Sequence, residues 1–260
     1  MYNRYSEFIR SINNNNISHS NFKTKKEYNS ILEHVSLENG NYYLKLIELE
    51  FPQIYFEDIK QFVTINDKYG FPQKYTFTYK NTENLIASPT SLRYIYHSLL
   101  ILTHLKSVQL SSIVEIGCGY GGLFLAICYF SKLFDIKIDN YYIIDLPDVC
   151  ELINSYLQLH DKEININYSL HSCYEYGKDI DENNLFLISN YCFTEITDEH
   201  RTNYVNNVFN KVKNGFIVWQ TVFGLGIDKV NLISKQIQSI CDEKPQTAGI
   251  EKDKNYFVYF

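Results

Sequence analysis

A glycine-rich segment running from Gly117 to Gly122 (GCGYGG) constrains the fold of this 260-residue chain more than any other feature. It follows the apolar run Ile113 to Ile116, which is typical of a buried strand, and it precedes a helical pattern from Leu123 to Phe134. Glycine allows a sharp turn between strand and helix, and it lets the backbone approach a ligand closely. Because the first N–H groups of the helix face the same space, the segment predicts a site for a nucleotide-like cofactor.

Strand and helix patterns alternate from residue 112 onward, which indicates a parallel sheet with crossover helices. After the first strand and helix, the predicted elements are strand 141–146, helix 147–159, strands 164–170 and 185–189, helix 198–212, strand 216–219, helix 228–241 and strand 256–260. We therefore expect an α/β fold of the Rossmann-like kind, with a mainly parallel seven-stranded sheet flanked by helices, in residues 107–260.

The chain ahead of this pattern is predicted to be mainly helical. Residues 27–69 show helical spacing, Tyr75 to Tyr79 alternates as a short strand or an aromatic loop, and Ser88-Pro89-Thr90 predicts the start of a helix that ends near Lys106. The first 20 residues are polar, and we expect them to be frayed. Residues 1–106 are thus predicted to form a helical cap that binds part of the substrate.

Charge and cysteine usage exclude several classes of protein. The formal net charge of −6 and the lack of a dense cluster of Lys and Arg disfavour a nucleic-acid partner. No stretch approaches the roughly 18 apolar residues of a spanning helix, so no membrane partner is expected. The six cysteines form no C-x-x-C pair and several lie in apolar runs, which favours buried free thiols and a cytosolic protein.

Two acidic residues decide which cofactor the glycine segment fits. Gly117, Gly119 and Gly122 also satisfy the dinucleotide pattern G-x-G-x-x-G. Glu115, however, stands two residues before the first glycine, and the segment resembles the E/D-x-G-x-G motif of S-adenosylmethionine-dependent methyltransferases. That resemblance implies that Glu115 orients the methionine end of S-adenosylmethionine and that Asp145, after the next strand, binds the ribose hydroxyls. A carboxylate suits the ribose because its two oxygens can accept from both hydroxyls.

Longer segments resemble the family of sugar O-methyltransferases. These segments are SPTSLRY at 88–94, VEIGCGYGG at 114–122, YIIDLP at 142–147 and ISNYCFTE at 188–195. The chain departs from the family pattern at Cys118, Cys192 and Thr194, and none of these changes removes a charged group. The resemblance implies methyl transfer to a sugar or nucleotide-sugar. The predicted cofactor contacts are Glu115, Gly117, Gly119, Tyr120, Gly121, Asp145, Leu146, Cys173, Asn190 and Tyr191.

A sugar hydroxyl is a poor nucleophile at neutral pH, so a base is expected near the acceptor. The loop after the fourth strand of the sheet offers Glu195 and His200, and we expect one of them to accept the proton. Arg93 and His97, one helical turn apart, are predicted to orient the acceptor. Asp198 and Glu199 in the same loop are also typical of a helix N-terminus. Magnesium is compatible with this acidic loop, but no spacing of metal ligands is diagnostic, so metal dependence stays open.

Three alternatives remain at this stage. The first is a methyltransferase with another small-molecule acceptor or a nucleic-acid base, although the loop at 190–193 (NYCF) lacks the prolines of amino-methylating DNA enzymes. The second is a nicotinamide-dependent oxidoreductase, which would use the same glycine pattern. The third is a non-catalytic domain that retains only the fold.

Overall fold

A computed structural model describes residues 2–14, 17–29, 31–247 and 254–260. The helices are α1 Tyr2–Asn13, α2 Lys26–Asn29, α3 Leu37–Glu50, α4 Phe56–Asn66, α5 Pro89–Val108, α6 Gly122–Leu133, α7 Pro147–Gln158 and α8 Asp198–Asn207. The strands are β1 Tyr75–Tyr79, β2 Glu83–Ala87, β3 Ser112–Ile116, β4 Asn140–Asp145, β5 Asn167–Ser172, β6 Leu185–Asn190, β7 Val212–Gln220, β8 Ser239–Asp242 and β9 Asn255–Tyr259.

Strands β3 to β9 form a seven-stranded sheet with the order β5-β4-β3-β6-β7-β9-β8. The pairs among β3, β4, β5, β6 and β7 are parallel, whereas β9 runs antiparallel to both β7 and β8. Counted from β3, the first five strands follow the order 3-2-1-4-5 of doubly wound nucleotide-binding folds. The prediction of a Rossmann-like, mainly parallel α/β fold is confirmed.

Two sequence predictions are wrong in detail. The helix expected at 228–241 is instead a 3₁₀ helix, Ile227–Ile233, followed by the edge strand β8. Hydrogen bonding to β9 gives this short segment an extended form, because short apolar runs fit either structure and tertiary pairing decides between them. At the amino end, residues 2–13 form α1 with Ile9 and Ile12 buried, so this part is not frayed. Asn15 and Asn16 lie outside the described residues.

The chain forms two compact units, each built from segments that are separated in sequence. The first unit contains residues 1–100, 119–134 and 151–165, and the second contains 101–118, 135–150 and 166–260. The seven-stranded sheet belongs to the second unit. A division of function between residues 1–106 and 107–260 stays a prediction.

Alternating side chains of the sheet form the core of the second unit. Val114, Leu187 and Trp219 belong to one cluster with Tyr204 of α8 and Val208, which directly follows α8, and all five are less than 5% exposed. Residues two apart on a strand point to the same face, so one face of β3, β6 and β7 is covered by α8. The indole N–H of Trp219 donates to the carbonyl of Leu225 at 2.9 Å, which leaves no unpaired polar group on this buried ring.

A buried polar network begins α5 in the first unit. Ser88 Oγ accepts a hydrogen bond from the N–H of Ser91 at 3.2 Å, which is the N-cap geometry that the sequence predicted. The Asp67 carboxylate accepts from Ser88 N, Ser88 Oγ and Ser91 Oγ at 2.6–2.8 Å. The Ser-Pro-Thr segment therefore has a structural role, because it fixes the start of α5 against a buried carboxylate.

Candidate functional site

The order of the sheet places its ligand crevice at the ends of β3 and β6. These two strands are neighbours, and the chain order runs away from them in opposite directions on either side. In open α/β sheets, ligands bind outside the carboxyl ends of the strands at this switch point. The glycine segment follows β3 and the segment Tyr191 to Glu195 follows β6, so both predicted loops begin there.

Gly117 is required by its backbone conformation and by its surroundings. Its φ of +82° lies in the left-handed region, and its N–H donates to the carbonyl of Ile144 at 3.0 Å. A Cβ at this position would stand 2.4 Å from Cys192 Cβ. The backbone after β3 thus passes directly against the loop after β6, which only glycine permits.

Glu115 is a buried carboxylate on β3. It is 1% exposed, and Oε2 accepts a hydrogen bond from the Tyr141 hydroxyl at 2.7 Å. Burial raises the pKa of Glu115 to about 7, while hydrogen bonds from Cys118 and Tyr141 act in the opposite direction. The carboxyl group is consequently held in one orientation behind the glycine segment and is poised between its two protonation states at neutral pH.

Asp145 ends β4 and is bound to the glycine segment. Its Oδ2 accepts from the backbone N–H of Cys118 at 2.8 Å, and its Oδ1 accepts from the N–H of Leu146 at 2.8 Å. Cys173, which follows β5, lies close enough to Asp145 for the two groups to interact electrostatically. Burial and then the charge of Asp145 raise the pKa of its thiol to about 12. The structure therefore brings together Glu115, Gly117, Asp145, Leu146 and Cys173 from the predicted cofactor set.

The end of β6 is tied to β3 and has an unusual backbone. Ser189 Oγ donates to the carbonyl of Ile116 at 3.0 Å and accepts from the N–H of Phe193 at 3.1 Å. Tyr191 has a φ of +61°, which is uncommon for a residue with a side chain. Its hydroxyl donates to the carboxylate of Glu243, a residue 1% exposed to solvent. Asn190 and Tyr191 thus occupy a constrained turn at the switch point.

Glu195 is an exposed residue, and partial burial raises the pKa of its carboxyl group to about 7. Its N–H donates to the carbonyl of Cys192 at 2.9 Å, which closes the loop after β6. With its amide oriented to satisfy both groups, Gln220 donates from Nε2 to Glu195 Oε1 at 2.7 Å and to the carbonyl of Tyr191 at 3.0 Å. A carboxylate with this pKa is suited to accept a proton at neutral pH.

His200 lies in the first turn of α8, and its Nδ1 is paired with the Tyr176 hydroxyl at 2.7 Å. Asp198, at the start of the same helix, forms an ion pair with Arg201. The position of Asp198 and Glu199 in the first helical turn agrees with the alternative that acids here stabilise a helix N-terminus.

The remaining predicted residues belong to the first unit. Gly119 and Gly121 have positive φ values of 66° and 94°. The Tyr120 hydroxyl accepts from Asn66 Nδ2 at 3.1 Å, and the contact of Tyr120 with a cofactor stays a prediction. The two other predictions in this unit are Arg93 and His97.

Arg93 is 3% exposed and donates from Nη2 to the carbonyl of Leu32 at 2.9 Å. Burial, followed by the charge of Arg93, lowers the pKa of His97 well below its usual value. His97 is therefore neutral at physiological pH. Its role and that of Arg93 toward an acceptor stay predictions.

Sequence reasoning missed Tyr141, Gln220, Glu243 and Asn255. Tyr141 and Gln220 carried a usable signal. Tyr141 lies on β4 two residues before Ile143, the register partner of Glu115, so it shares the face of the sheet with that pair. Gln220 is the last residue of a parallel strand, where sites of this fold lie. No sequence signal marks Glu243 and Asn255, because the antiparallel pairing of β7, β8 and β9 is what brings them close to Tyr191.

Two further observations concern metals and membranes. Among the residues that the structure describes, no group of three or more His, Cys, Asp or Glu side chains could hold a metal ion. Within the same ranges, no helix combines the length and the apolar character needed to cross a membrane.

Residues 101–242, more than half of the chain, match the family described as "Mitochondrial small ribosomal subunit Rsm22". The chain belongs to the Rsm22 family. This family is not the one whose motifs the sequence resembles. The matched range includes β3 to β8, so both loops at the switch point of this Rsm22-family chain lie within it. No curated protein matches the sequence of the chain.

Among solved structures, the Rsm22-family chain is similar to the mitomycin 7-O-methyltransferase MmcR, with 11% identity and a TM-score of 0.43 over 66% of this chain and 54% of MmcR. It is similar to TehB from Haemophilus influenzae, with 14% identity and a TM-score of 0.45 over 61% of this chain and 59% of TehB. It is also similar to the glycopeptide N-methyltransferase MtfA complexed with sinefungin, with 9% identity and a TM-score of 0.45 over 64% of this chain and 85% of MtfA. The chain thus spans less than two thirds of MmcR and of TehB.

Proposed function

We propose that the protein is a S-adenosylmethionine-dependent methyltransferase. The observation that carries the proposal is the convergence of two carboxylates on Cys118, directly after Gly117. Asp145 accepts from the Cys118 backbone, and Glu115 accepts a hydrogen bond from the Cys118 side chain. S-adenosylmethionine presents vicinal ribose hydroxyls and an amino group, which are groups that carboxylates bind.

In this proposal, the end of β4 and the glycine segment hold the cofactor. Asp145 binds the ribose hydroxyls, and its orientation is fixed beforehand by the N–H groups of Cys118 and Leu146. Glu115 acts from behind the glycine segment on the methionine end. When bound, S-adenosylmethionine supplies an electrophilic methyl group on a sulfonium. The chain must then align an acceptor and accept one proton.

We assign the proton to Glu195 and propose a sugar hydroxyl as the acceptor. The raised pKa of Glu195 and its position after β6 support a base beside the switch point. The resemblance of segments 88–94 and 188–195 to sugar O-methyltransferases supports a free, nucleotide-linked or glycan sugar. All six cysteines are free thiols, which supports a reducing compartment such as the cytosol.

Equilibrium binding tests the cofactor. We expect S-adenosylhomocysteine to bind the purified chain and NAD to bind at least about 100-fold more weakly, a difference of nearly 3 kcal/mol. Tight binding of NAD without S-adenosylhomocysteine would favour the oxidoreductase alternative. A methyl-transfer screen over nucleotide sugars, read by mass, then tests the acceptor. A gain of one methyl group on one compound would identify it.

A second acceptor class is favoured by the family match. The description of the Rsm22 family names the small ribosomal subunit, so a component of that subunit is a candidate acceptor or partner. The net charge of −6 weighs against an RNA acceptor, because RNA binding requires neutralised phosphates. Including small-subunit ribosomal RNA in the same screen distinguishes the two classes. Methyl incorporation into RNA alone would exclude the sugar acceptor.

A further inference from the structure

We propose that Gln220 is a positioning residue, which orients the base Glu195, and that Glu243 and Asn255 hold the same loop from its other end. This inference deepens the proposed function and rests on it. None of the three residues belongs to a motif of the glycine segment or of the loop after β6. Their arrangement becomes visible only in the hydrogen bonds at the ends of β6, β7 and β9.

Gln220 contacts the loop after β6 at three points. Its side-chain Nε2 donates to Glu195 Oε1 at 2.7 Å and to the carbonyl of Tyr191 at 3.0 Å, and its backbone N–H donates to Thr194 Oγ1 at 3.3 Å. Thr194 is 1% exposed, so the last contact is buried. A single residue at the end of β7 thus fixes both ends of the segment between Tyr191 and Glu195.

The bond to Glu195 has an electrostatic consequence. Burial alone favours the neutral form of this carboxyl group and raises its pKa. An amide N–H that donates to a carboxylate favours the charged form and opposes that effect. Gln220 therefore keeps the Glu195 pKa from rising further and directs Oε1 toward β7, which defines the orientation of the other carboxylate oxygen.

The hydroxyl of Tyr191 is held by a second buried group. Glu243 accepts from this hydroxyl, from the backbone and side chain of Thr247, and from Asn255 Nδ2 at 2.9 Å. These donors are all neutral, and they number about as many as a carboxylate can accept. The positive φ of Tyr191 persists because its carbonyl and its hydroxyl are both fixed.

The two contacts are linked through the sheet. Gln220 and Asn255 are direct partners in the antiparallel register of β7 and β9. Gln220 binds the carbonyl of Tyr191, and Asn255 binds the carboxylate that holds the hydroxyl of Tyr191. One cross-strand pair therefore clamps the loop that carries the proposed base, and it does so from rigid strands.

The titration of Glu195 tests this inference without an identified acceptor. The full chain is labelled with ¹³C at glutamate carboxyl groups, and the Glu195 signal is assigned with Glu195→Gln. We expect Gln220→Leu to raise the Glu195 pKa because a donor is lost. Gln220→Glu is expected to raise it more, by about one unit or more, because a second carboxylate lies beside it. Lys213→Leu, an exposed change on the same strand, serves as the control and is expected to leave the pKa unchanged.

The loop contact is tested by Tyr191→Phe, which removes only the hydroxyl. We expect faster hydrogen exchange in residues 191–195 with unchanged exchange in β7. In the methyl-transfer assay, the Gln220 variants should lower kcat and move its acid limb to higher pH, with little change in KM. A role in folding alone would not move that limb.

The outcomes separate the inference from the proposed function. A wild-type chain that binds no S-adenosylhomocysteine overturns both. If the chain binds it and transfers a methyl group, but the Glu195 pKa is the same in wild type, Gln220→Leu and Gln220→Glu, only the inference is overturned.

Discussion

The carboxylate of Asp145 and the backbone N–H of Cys118 are joined by a hydrogen bond of 2.8 Å between Oδ2 and N. This bond connects the end of β4 to the turn after β3, the two neighbouring strands whose loops form the proposed cofactor site. Because the N–H of Leu146 fixes the second oxygen, the carboxylate has one orientation before any ligand binds. Such preorganisation lowers the entropic cost of binding.

Asp145→Asn is expected to weaken binding of S-adenosylhomocysteine by about 10- to 100-fold. The asparagine retains one acceptor oxygen but loses the charge, and hydrogen bonds to charged groups contribute about 1.5–3 kcal/mol. Titration calorimetry measures the change. Asp148→Asn, in the first turn of α7, is the matched control because it removes the same charge three residues away. Equal weakening in both variants would contradict the role of Asp145.

Gly117→Ala and Gly224→Ala make a matched pair for the glycine segment. Both glycines have a φ of +82°, so the backbone strain of alanine is shared. A Cβ at Gly117 would stand 2.4 Å from Cys192 Cβ, whereas a Cβ at Gly224 would meet nothing within 4 Å. We expect Gly117→Ala to lower the free energy of unfolding by about 1–3 kcal/mol more than Gly224→Ala, as overpacking does. Denaturant unfolding measures this difference. Equal losses in the free energy of unfolding would show that the close contact with Cys192 does not add to the cost of alanine at Gly117.

The sequence predicts the parallel part of the sheet because each buried strand there is an apolar run followed by a turn and a helix. It fails at residues 228–241, where the edge strand β8 depends on pairing with β9. Local spacing carries no information about a partner strand that lies beyond it in the chain. Strand pairing also sets the bounds of β5, which is predicted at 164–170 and is found at Asn167–Ser172, in register with β4.

The residues of the candidate site likewise divide into those that the sequence predicts and those that it does not. Glu115 and Asp145 are predictable because their spacing from the glycine segment is fixed by the strand-turn-helix unit. Glu243 is not predictable, because its contact with Tyr191 joins residues far apart in sequence. The sequence predicts a helix cap at Ser88, but no motif indicates its buried partner Asp67.

Glu195→Gln is expected to lower kcat by about 10²- to 10⁴-fold and to leave binding of S-adenosylhomocysteine unchanged. In the wild type, kcat should rise with pH through about 7, because the carboxylate must be deprotonated to accept a proton. The variant should lose this limb. His200→Ala and Arg93→Ala, measured in the same way, test the other predicted residues. Full turnover in all three variants would exclude the proposed catalytic set.

Lys23 is a buried cation of the first unit. It is 1% exposed, and its Nζ donates to the carbonyl of Asn66 at 2.8 Å and lies 4.2 Å from the centre of the Tyr120 ring. Burial lowers its pKa to about 8, while the charges of Glu33 and Asp67 oppose that change. Between pH 8 and about 10.5, the unfolded chain therefore binds more protons at Lys23 than the folded chain does.

The contribution of Lys23 to the free energy of unfolding should consequently increase as the pH rises from 8 to about 10.5. We expect the free energy of unfolding of the wild type, minus that of Lys23→Met, to increase between pH 8 and 10.5 by one to a few kcal/mol, on the order set by linkage. Taking the difference removes titrations that both proteins share, including those of the tyrosines. Lys25→Met, an exposed change two residues away, is the control and should give a flat difference. A flat difference for Lys23→Met as well would mean that its amine titrates at the same pH in the folded and unfolded chains.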